Sequence, residues 1–301
     1  MARRGPSGGL RFAICFTHCA AAVCLAAAGC TETLDAGHNM KGGCAAADAG
    51  AAGCLPTGLL DNLVGYWRLD DGTGSTVAYD SSGRGNDGVL HSLAASTAWV
   101  AGRSLGALEI GHGGWVQVAR SESIDDITDQ ITISVWVNLE GTISSSDMWA
   151  TALSRQTGTG THQHYHVSLY MDGRPSLFFE TVGGYAILHA PSAAPKDTWT
   201  HVAGVYDGAE LRLYVNGVEA ASQSLSGAFS QDMTPVILGG NGNDASGVPT
   251  ELFPGRIDEL MLYARALSAA EIAQLAAGSL FPPSANDGGG DASVSADASA
   301  D

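Results

Sequence analysis

The most regular alternation of apolar and polar positions runs over residues 198–217. Two alternating runs flank Asp207-Gly208, and a second turn pair, Asn216-Gly217, ends the return run. Asp-Gly and Asn-Gly tolerate the positive φ that a type I′ turn requires, so the pattern predicts a β-hairpin. Because an isolated hairpin is only marginally stable in water, it must pack against further strands.

Short runs of the same kind recur along the chain, separated by Gly, Asp and Asn. One stretch has a helical period instead: Ser268 and Glu271 form an S-x-x-E capping box, Ile272 and Leu275 follow as an apolar face, and Gly278 can end the helix. Many short strands with one short helix predict an all-β sandwich or barrel. The further predicted strands are 65–69, 105–110, 115–118, 131–138, 150–155, 165–171, 176–180, 185–189, 236–238 and 256–263.

The amino terminus has the pattern of an export signal. Arginines at positions 3, 4 and 11 precede an apolar run over 12–28, which is typical of a secretory signal. The run ends in L-A-A-A-G-C, which resembles a bacterial lipobox and implies cleavage after Gly29 and lipidation of Cys30. An ordinary signal cut near Ala28 is the alternative. Both alternatives predict an exported protein, and the lipobox predicts a lipoprotein of the outer membrane or cell surface.

The remaining cysteines lie in a segment that is rich in Ala, Gly and Asp. With 1–29 as signal peptide, 30–58 is predicted to be a flexible tether that contains Cys44 and Cys54. In an oxidising compartment these two are predicted to form one disulfide, with a pair of free thiols as the alternative. Residues 282–301 have the same composition and are predicted to be a disordered acidic tail. One domain is expected between them, over 59–281.

The charge balance limits the class of partner. The chain has 14 Lys and Arg against 31 Asp and Glu, a formal net charge of −17. Nucleic-acid binding needs a cationic surface that neutralises phosphates, so it is excluded as a function class. An acidic surface suits solubility and divalent cations instead.

Five segments together resemble the laminin-G-like domains, which are jelly-roll sandwiches of the concanavalin A-like lectin and glucanase superfamily. The resemblance implies a two-sheet antiparallel jelly roll with one short C-terminal helix. It also places Trp67, Trp136 and Trp199 in signature strands, where we expect them to be buried together with Val202 and Leu213. The segments are W-T-H-V-A-G-V-Y-D-G-A-E-L-R-L-Y-V-N-G at 199–217, G-Y-W-R-L-D-D-G-T-G at 65–74, D-S-S-G-R-G-N-D-G at 80–88, I-T-I-S-V-W-V at 131–137 and G-R-I-D-E-L-M-L-Y-A-R-A-L-S-A-A-E-I at 255–272.

The loop at 80–88 is a candidate calcium site, because Asp and Asn supply hard oxygens and glycines let carbonyls turn inward. The resemblance implies Asp80 and Asp258 as ligands of a structural Ca²⁺, with Asn86 and Asp70 as further candidates. The alternative is a plain glycine turn in which Asp80 caps local N–H groups.

Other candidate chemistry is sparser. His162, His164 and His166 alternate along a predicted strand and could bind zinc or copper, although such residues also cover solvated strands. An exposed aromatic ring could be a stacking platform for a sugar, and the sequence does not say which ring is exposed. The rings outside the strongest patterns are Trp99, Trp115, Trp149, Tyr165 and Tyr185.

Motifs for catalysis are missing. The E-x-D-x-x-E arrangement of glucanases, H-E-x-x-H and a phosphate loop do not occur in the sequence. The predicted function is therefore a non-catalytic binding module anchored to the envelope, with carbohydrate as its ligand. Adhesion to a surface protein or a structural spacer role is the second hypothesis, and a glycan-active enzyme is the third.

Overall fold

A computed structural model of the chain describes residues 57–111, 113–156, 163–229, 234–242 and 248–278. Cys30, Cys44, Cys54 and the predicted acidic tail lie outside these residues, so the predictions for both ends of the chain stay predictions. The described helices are α1 (Thr57–Leu60), α2 (Glu122–Asp125) and α3 (Ala269–Ala277). The described strands are β1 (Leu63–Trp67), β2 (Val77–Ala78), β3 (Gly88–His91), β4 (Trp99–Ser104), β5 (Gly106–Glu109), β6 (Trp115–Val118), β7 (Ile131–Leu139), β8 (Trp149–Gln156), β9 (Gln163–Tyr170), β10 (Pro175–Thr181), β11 (Gly184–His189), β12 (Trp199–Tyr206), β13 (Glu210–Val215), β14 (Val218–Ser224), β15 (Val236–Leu238) and β16 (Gly255–Tyr263).

The strands form two sheets, which we call sheet I and sheet II. Sheet I has the order β14-β13-β12-β7-β16-β5-β4, with β1 also paired to β16, and sheet II has the order β11-β10-β9-β8-β15-β6-β3-β2. The strand pairs within both sheets are antiparallel. This confirms the predicted two-sheet antiparallel sandwich.

The main core lies between the sheets because alternate residues of each strand point to the same face. On β12, Val202 and Tyr206 join this core, whereas Ala203 and Val205 belong to a second cluster. Gly204 lies on the core side of β12, where a Cβ atom would be 2.9 Å from the Leu177 side chain of the opposite sheet. Glycine at this position therefore lets the two sheets approach closely.

The second cluster lies on the outer face of sheet I, under the predicted C-terminal helix. Ile272 and Leu275 of α3 are buried against strand residues such as Met261. Ser268 and Glu271 form the predicted capping box, and Gly278 ends the helix at φ 71°. The predicted helix is thus confirmed, and it covers part of the outer face of sheet I. No helix among the described residues is both long and apolar enough to cross a membrane.

The expected core residues are confirmed except for Trp199. Trp67, Val202 and Leu213 are almost completely buried in the main core. Trp136 is also buried, but on the outer face of sheet I, where the Arg103 guanidinium lies 4.7 Å from its ring centroid. The prediction for Trp199 was wrong: its side chain is only half-buried. Trp199 is the first residue of β12, at the end of the sheet, where fewer neighbours cover a side chain.

Candidate functional site

Six rings line the outer face of sheet II on four consecutive strands, β8 to β11. They face away from the core because they alternate with core residues such as Val167 and Leu177. We call this surface the outer aromatic face. Its members are Trp149, His166, Tyr170, Phe178, Tyr185 and His189.

Trp149 is the centre of one half of this face. Its ring centroid lies 5.1 Å from that of His166 and 5.0 Å from that of Tyr170, both in edge-on geometry. His189 stacks nearly parallel to Trp149, with 15° between the ring planes and 5.7 Å between centroids. Such contacts fix the ring orientations. The half-buried Trp149 ring is therefore held in one orientation before any ligand binds.

Phe178 and Tyr185 extend the face to the edge of the sheet. Phe178 lies 5.4 Å from His166 and stacks on Tyr185 at 5.8 Å, with 9° between the ring planes. Tyr185 is 64% exposed, and Ile187 beside it on the edge strand is 37% exposed. The row from Trp149 to Tyr185 crosses four strands and therefore spans roughly 15 Å.

A buried row of hydroxyl groups supports these rings. The Ser168 hydroxyl lies 3.0 Å from that of Thr151 and 2.7 Å from Nδ1 of His166. The Ser176 hydroxyl lies 2.7 Å from Nδ1 of His189. These bonds orient the two imidazoles, so the face combines apolar ring surfaces with fixed polar atoms.

A carboxylate adjoins this row at the side of β8. Glu251 Oε2 accepts hydrogen bonds from the Thr151 hydroxyl at 3.3 Å and from Asn241 Nδ2 at 2.8 Å. Burial raises the pKa of Glu251 above its ordinary value, while the bonds from Asn241 and Thr151 lower it. Asn241 Oδ1 is buried without a hydrogen-bond partner. Asn241 is itself buried, whereas Glu251 is half-buried, so the Glu251 carboxylate is the polar group at this margin that can accept a hydrogen bond from a bound hydroxyl group.

The histidines of the face are neutral at physiological pH. Burial lowers the pKa of His166 to about 3. Burial also lowers the pKa of His189, and the nearby positive charge of Arg174 acts in the same direction. Neutral rings favour contact with uncharged apolar surfaces over binding of anions.

The other aromatic candidates of the sequence are not exposed platforms. Trp99, Trp115 and Tyr165 are buried, and Trp99 Nε1 donates to the Ser75 carbonyl oxygen at 2.8 Å. His162 and the side chain of His164 lie outside the described structure, so the three-histidine metal site stays untested.

Asp80 and the loop at 80–88 form a compact network of hydrogen bonds. Oδ1 of Asp80 accepts from the backbone N–H groups of Tyr66 at 2.9 Å and Ser82 at 2.8 Å. Oδ2 accepts from the Ser82 hydroxyl at 2.8 Å and from the Asn86 backbone N–H at 2.9 Å. Both oxygens of this predicted calcium ligand already have protein donors, as in the local capping alternative.

Asn86 connects the same loop to its surroundings. Its Nδ2 donates to the Val64 carbonyl at 2.7 Å and to the Ser123 hydroxyl at 3.0 Å. Its carbonyl oxygen accepts from Trp67 Nε1 at 2.9 Å. Oδ1 of Asn86 is buried without a hydrogen-bond partner. One hard oxygen of the predicted set is therefore still available.

Asp70 and Asp258 meet elsewhere, at the hairpin between β4 and β5. Asp70 Oδ1 accepts from the Gly106 N–H at 2.6 Å. Asp258 Oδ2 accepts from the N–H groups of Arg103 at 2.8 Å and Ser104 at 3.0 Å. Burial raises the pKa of Asp258 to about 9, and the neighbouring Glu259 adds to the shift.

The four predicted calcium ligands thus fall into two groups, Asp80 with Asn86 and Asp70 with Asp258. Within the ranges that the structure describes, no group of three or more His, Cys, Asp or Glu side chains is arranged to hold a metal ion. In each group the carboxylates accept hydrogen bonds that stabilise the local backbone, and the four residues do not form one calcium site. Calcium binding stays a prediction.

The architecture defines an all-β, two-sheet sandwich of the lectin-like class, with a ring-lined outer face. Residues 111–273 match the Laminin_G_3 model, described as the concanavalin A-like lectin/glucanases superfamily, and the chain belongs to this family. No curated protein sequence matches the chain.

Several solved structures share the fold at low sequence identity. Domain 4 of AbnA, an extracellular GH43 arabinanase from Geobacillus stearothermophilus solved with arabinotriose, is 22% identical with a TM-score of 0.53, over 71% of this chain and 98% of that one. The binding domain of Paraclostridial Mosquitocidal Protein 1 is 20% identical with a TM-score of 0.54, over 72% of this chain and 52% of that one. The receptor-binding domain of botulinum neurotoxin C/D mosaic serotype is 14% identical with a TM-score of 0.53, over 73% and 52%. At these identities the likeness concerns the fold alone.

Proposed function

We propose that the chain is a non-catalytic module that binds a glycan on the outer aromatic face. The observation that carries the proposal is the row of rings from Trp149 to Tyr185, which is held by packing and spans roughly 15 Å. Aromatic faces suit the apolar C–H surfaces of sugar rings, and Glu251 at the margin can accept hydrogen bonds from sugar hydroxyls. The length of the row matches a short oligosaccharide better than one sugar.

The fold relatives support a binding role without fixing its ligand. Domain 4 of the arabinanase was solved with arabinotriose, and the two toxin domains are named for binding or receptor binding. Because the superfamily also contains glucanases, the absence of catalysis is part of the proposal. We therefore choose arabinotriose as the first saccharide to test, followed by a broad glycan array.

Replacing Trp149 with alanine should weaken binding of the saccharide by about tenfold or more, because it removes the central ring and the contacts that orient His189. Isothermal titration calorimetry with arabinotriose, or with the strongest array hit, measures the change. Trp199→Ala is the matched control, since Trp199 is a half-buried tryptophan of sheet I. Equal affinity of the Trp149 variant and the wild type would show that the sugar binds elsewhere.

A protein ligand is the second candidate, because the edge of the outer aromatic face also has exposed apolar residues. Val182 is 73% exposed and Ile187 is 37% exposed, beside Tyr185. Contiguous apolar surface of this kind also occurs in protein interfaces. A clean glycan array, together with a surface protein that cross-links to wild type but not to Tyr185→Ala, would favour adhesion.

We also propose the cellular placement that the termini predict. The chain is exported, Cys30 carries lipid, 30–58 is a tether with a Cys44–Cys54 disulfide, 59–281 is the binding domain and 282–301 is an acidic tail. The mature protein would then be a lipoprotein of the outer membrane or cell surface. Mass spectrometry of the mature amino terminus tests this placement, and a soluble chain that begins at another residue would contradict it.

Calcium binding can be decided by thermal unfolding. If the predicted ion binds the folded chain, removing it with chelator should lower the melting temperature by several degrees, because a ligand of the native state adds stability by mass action. Asp80→Ala and Asp258→Ala should then each remove most of the sensitivity to chelator, whereas Asp172→Asn, at an exposed turn, should not. Identical melting with calcium and with chelator would leave the loop as a hydrogen-bonded turn.

A further inference from the structure

A groove lies at the edge of the sandwich, next to the outer aromatic face. One wall is formed by Gly183, in the turn between β10 and β11, and by the first two residues of β11, Gly184 and Tyr185. The other wall is the end of β14 and the residues after it, at Ser224 to Ser226. Ala209 closes one side. The groove has a volume of about 200 Å³. It therefore offers more room than a single water molecule needs.

The two walls are tied together by hydrogen bonds. The Val182 N–H donates to the Ala228 carbonyl at 2.9 Å, and the Thr181 hydroxyl donates to the Ser226 carbonyl at 2.7 Å. At Gly183 a Cβ atom would lie 2.1 Å from the Ser226 carbonyl oxygen. The close approach of the walls thus depends on glycine, and the groove is a fixed feature of the fold.

Tyr185 belongs to both surfaces. Its ring stacks on Phe178 in the outer aromatic face, and the residue also lines the groove. Leu225 is a buried apolar residue of the groove, and Ser224 and Ser226 are exposed. No charged residue is among the described residues that line it. One ring, an apolar contact and neutral hydroxyl groups suit an uncharged sugar.

We propose that this groove is a terminal subsite that takes one uncharged sugar unit at the end of a glycan lying across the outer aromatic face. The inference rests on the proposed glycan-binding function. It deepens that function, because a ligand long enough to pass Tyr185 gains contacts that a shorter ligand of the same sugar cannot reach. Affinity should therefore rise with chain length up to the point at which the groove is filled.

The test uses linear oligosaccharides of arabinose, xylose and glucose, each from one to six units, with the full chain. Ala209→Phe fills the groove from an exposed position outside the regular strands, and Ser224→Phe fills it from the end of β14. Ser222→Phe is the matched control, because Ser222 is exposed on the same strand and does not line the groove. Tyr185→Phe keeps the ring, and Tyr185→Ala removes it.

If the groove is a terminal subsite, Ala209→Phe and Ser224→Phe should bind the longest oligosaccharides of a series about tenfold more weakly than the wild type does. Both variants should bind the short oligosaccharides like the wild type. Tyr185→Ala removes a ring of the outer aromatic face as well as a residue of the groove, so it should also weaken binding of the short oligosaccharides. Ser222→Phe and Tyr185→Phe should match the wild type. Wild-type affinity of both filling variants at every length would overturn the subsite and leave the glycan face intact. If the wild type binds none of the three oligosaccharide series, the subsite proposal is wrong. If the glycan array also shows no binding, the proposed function is wrong as well.

Discussion

Replacement of Trp67 with alanine should lower the free energy of unfolding by about 3–5 kcal/mol. Trp67 is completely buried in the main core, and its Nε1 donates to the Asn86 carbonyl at 2.9 Å. Its ring lies over Gly65, where a Cβ atom would be 2.3 Å from the ring. Alanine would leave a cavity in the core, and β1 cannot move to fill it because it is paired with β16. The substitution would also leave the Asn86 carbonyl oxygen, in the loop at 80–88, without its donor.

Chemical denaturation monitored by circular dichroism measures this loss. Trp67→Phe keeps an aromatic ring but not the bond to Asn86, so its loss should be smaller. Trp199→Ala is a control for the removal of a tryptophan that joins neither buried cluster of the described residues. A loss below about 1 kcal/mol for Trp67→Ala would mean that the ring does not fill the core as described.

The success of the sequence prediction for Trp67 and its failure for Trp199 have one physical origin. Alternation along a strand tells which residues share a face, and this was enough for the β12–β13 hairpin and for the two-sheet class. It does not tell where the sheet ends. Trp199 begins β12 and is left half-covered, while Trp136 is buried on the outer face of sheet I beside Arg103. Both outcomes depend on neighbours that are distant in sequence.

Strands at the margins of the sheets were the hardest to predict. β2 has only two residues, and β4 alternates between exposed and partly buried positions that include a glycine and an arginine. β3 ends in two partly buried residues. Such strands bury little apolar surface of their own, so they lack the periodic pattern that marked β7, β12 and β16. Their pairing is decided by strands that are already in place.

The outer aromatic face left a signal that single-motif reasoning missed. His166 and Tyr170 share one face of β9 by alternation, and Tyr185 and His189 share one face of β11. The step that the sequence does not give is the register, which sets His166 opposite Phe178 on β10. Because the sequence does not give the register, it could not show that Trp149 and Tyr185 belong to one continuous row of rings. For the predicted calcium ligands the fold does the opposite and keeps the residues apart. Asp80 and Asp258 accept hydrogen bonds in two different local networks.

Glu259 should show the second large effect, a gain of stability when its charge is removed. A bulge in β16 turns this residue to φ 49° and buries its carboxylate, one oxygen of which accepts from the Tyr66 hydroxyl. Oε1 is buried without a hydrogen-bond partner. Burial raises the pKa of Glu259 to about 7, although the bond from Tyr66 and the charge of Arg68 act in the opposite direction. The nearby Asp70 raises it further, and Arg103 lowers it.

The sign of the effect follows from proton linkage. Since the pKa is higher in the folded chain than the ordinary 4.5, the native state holds the proton more tightly, and stability falls as pH rises from about 4.5 to about 7. Glu259→Gln keeps an acceptor for Tyr66 and does not titrate. It should match the wild type near pH 4 and exceed it by about 3 kcal/mol above pH 7.

Urea denaturation from pH 4 to pH 8 measures this difference, with Glu271→Gln as a control of opposite sign. Burial opposes ionisation of Glu271 too, but hydrogen bonds from Arg265 and Ser268 prevail and lower its pKa to about 2. A charge that the fold favours contributes stability above the ordinary pKa, so Glu271→Gln should be destabilised at neutral pH and approach the wild type in acid. If Glu259→Gln instead loses stability at pH 8, the ionised carboxylate must be satisfied in the native state. The unpartnered oxygen would then have a cation or an ordered water beside it, and repeating the measurement with chelator would distinguish the two.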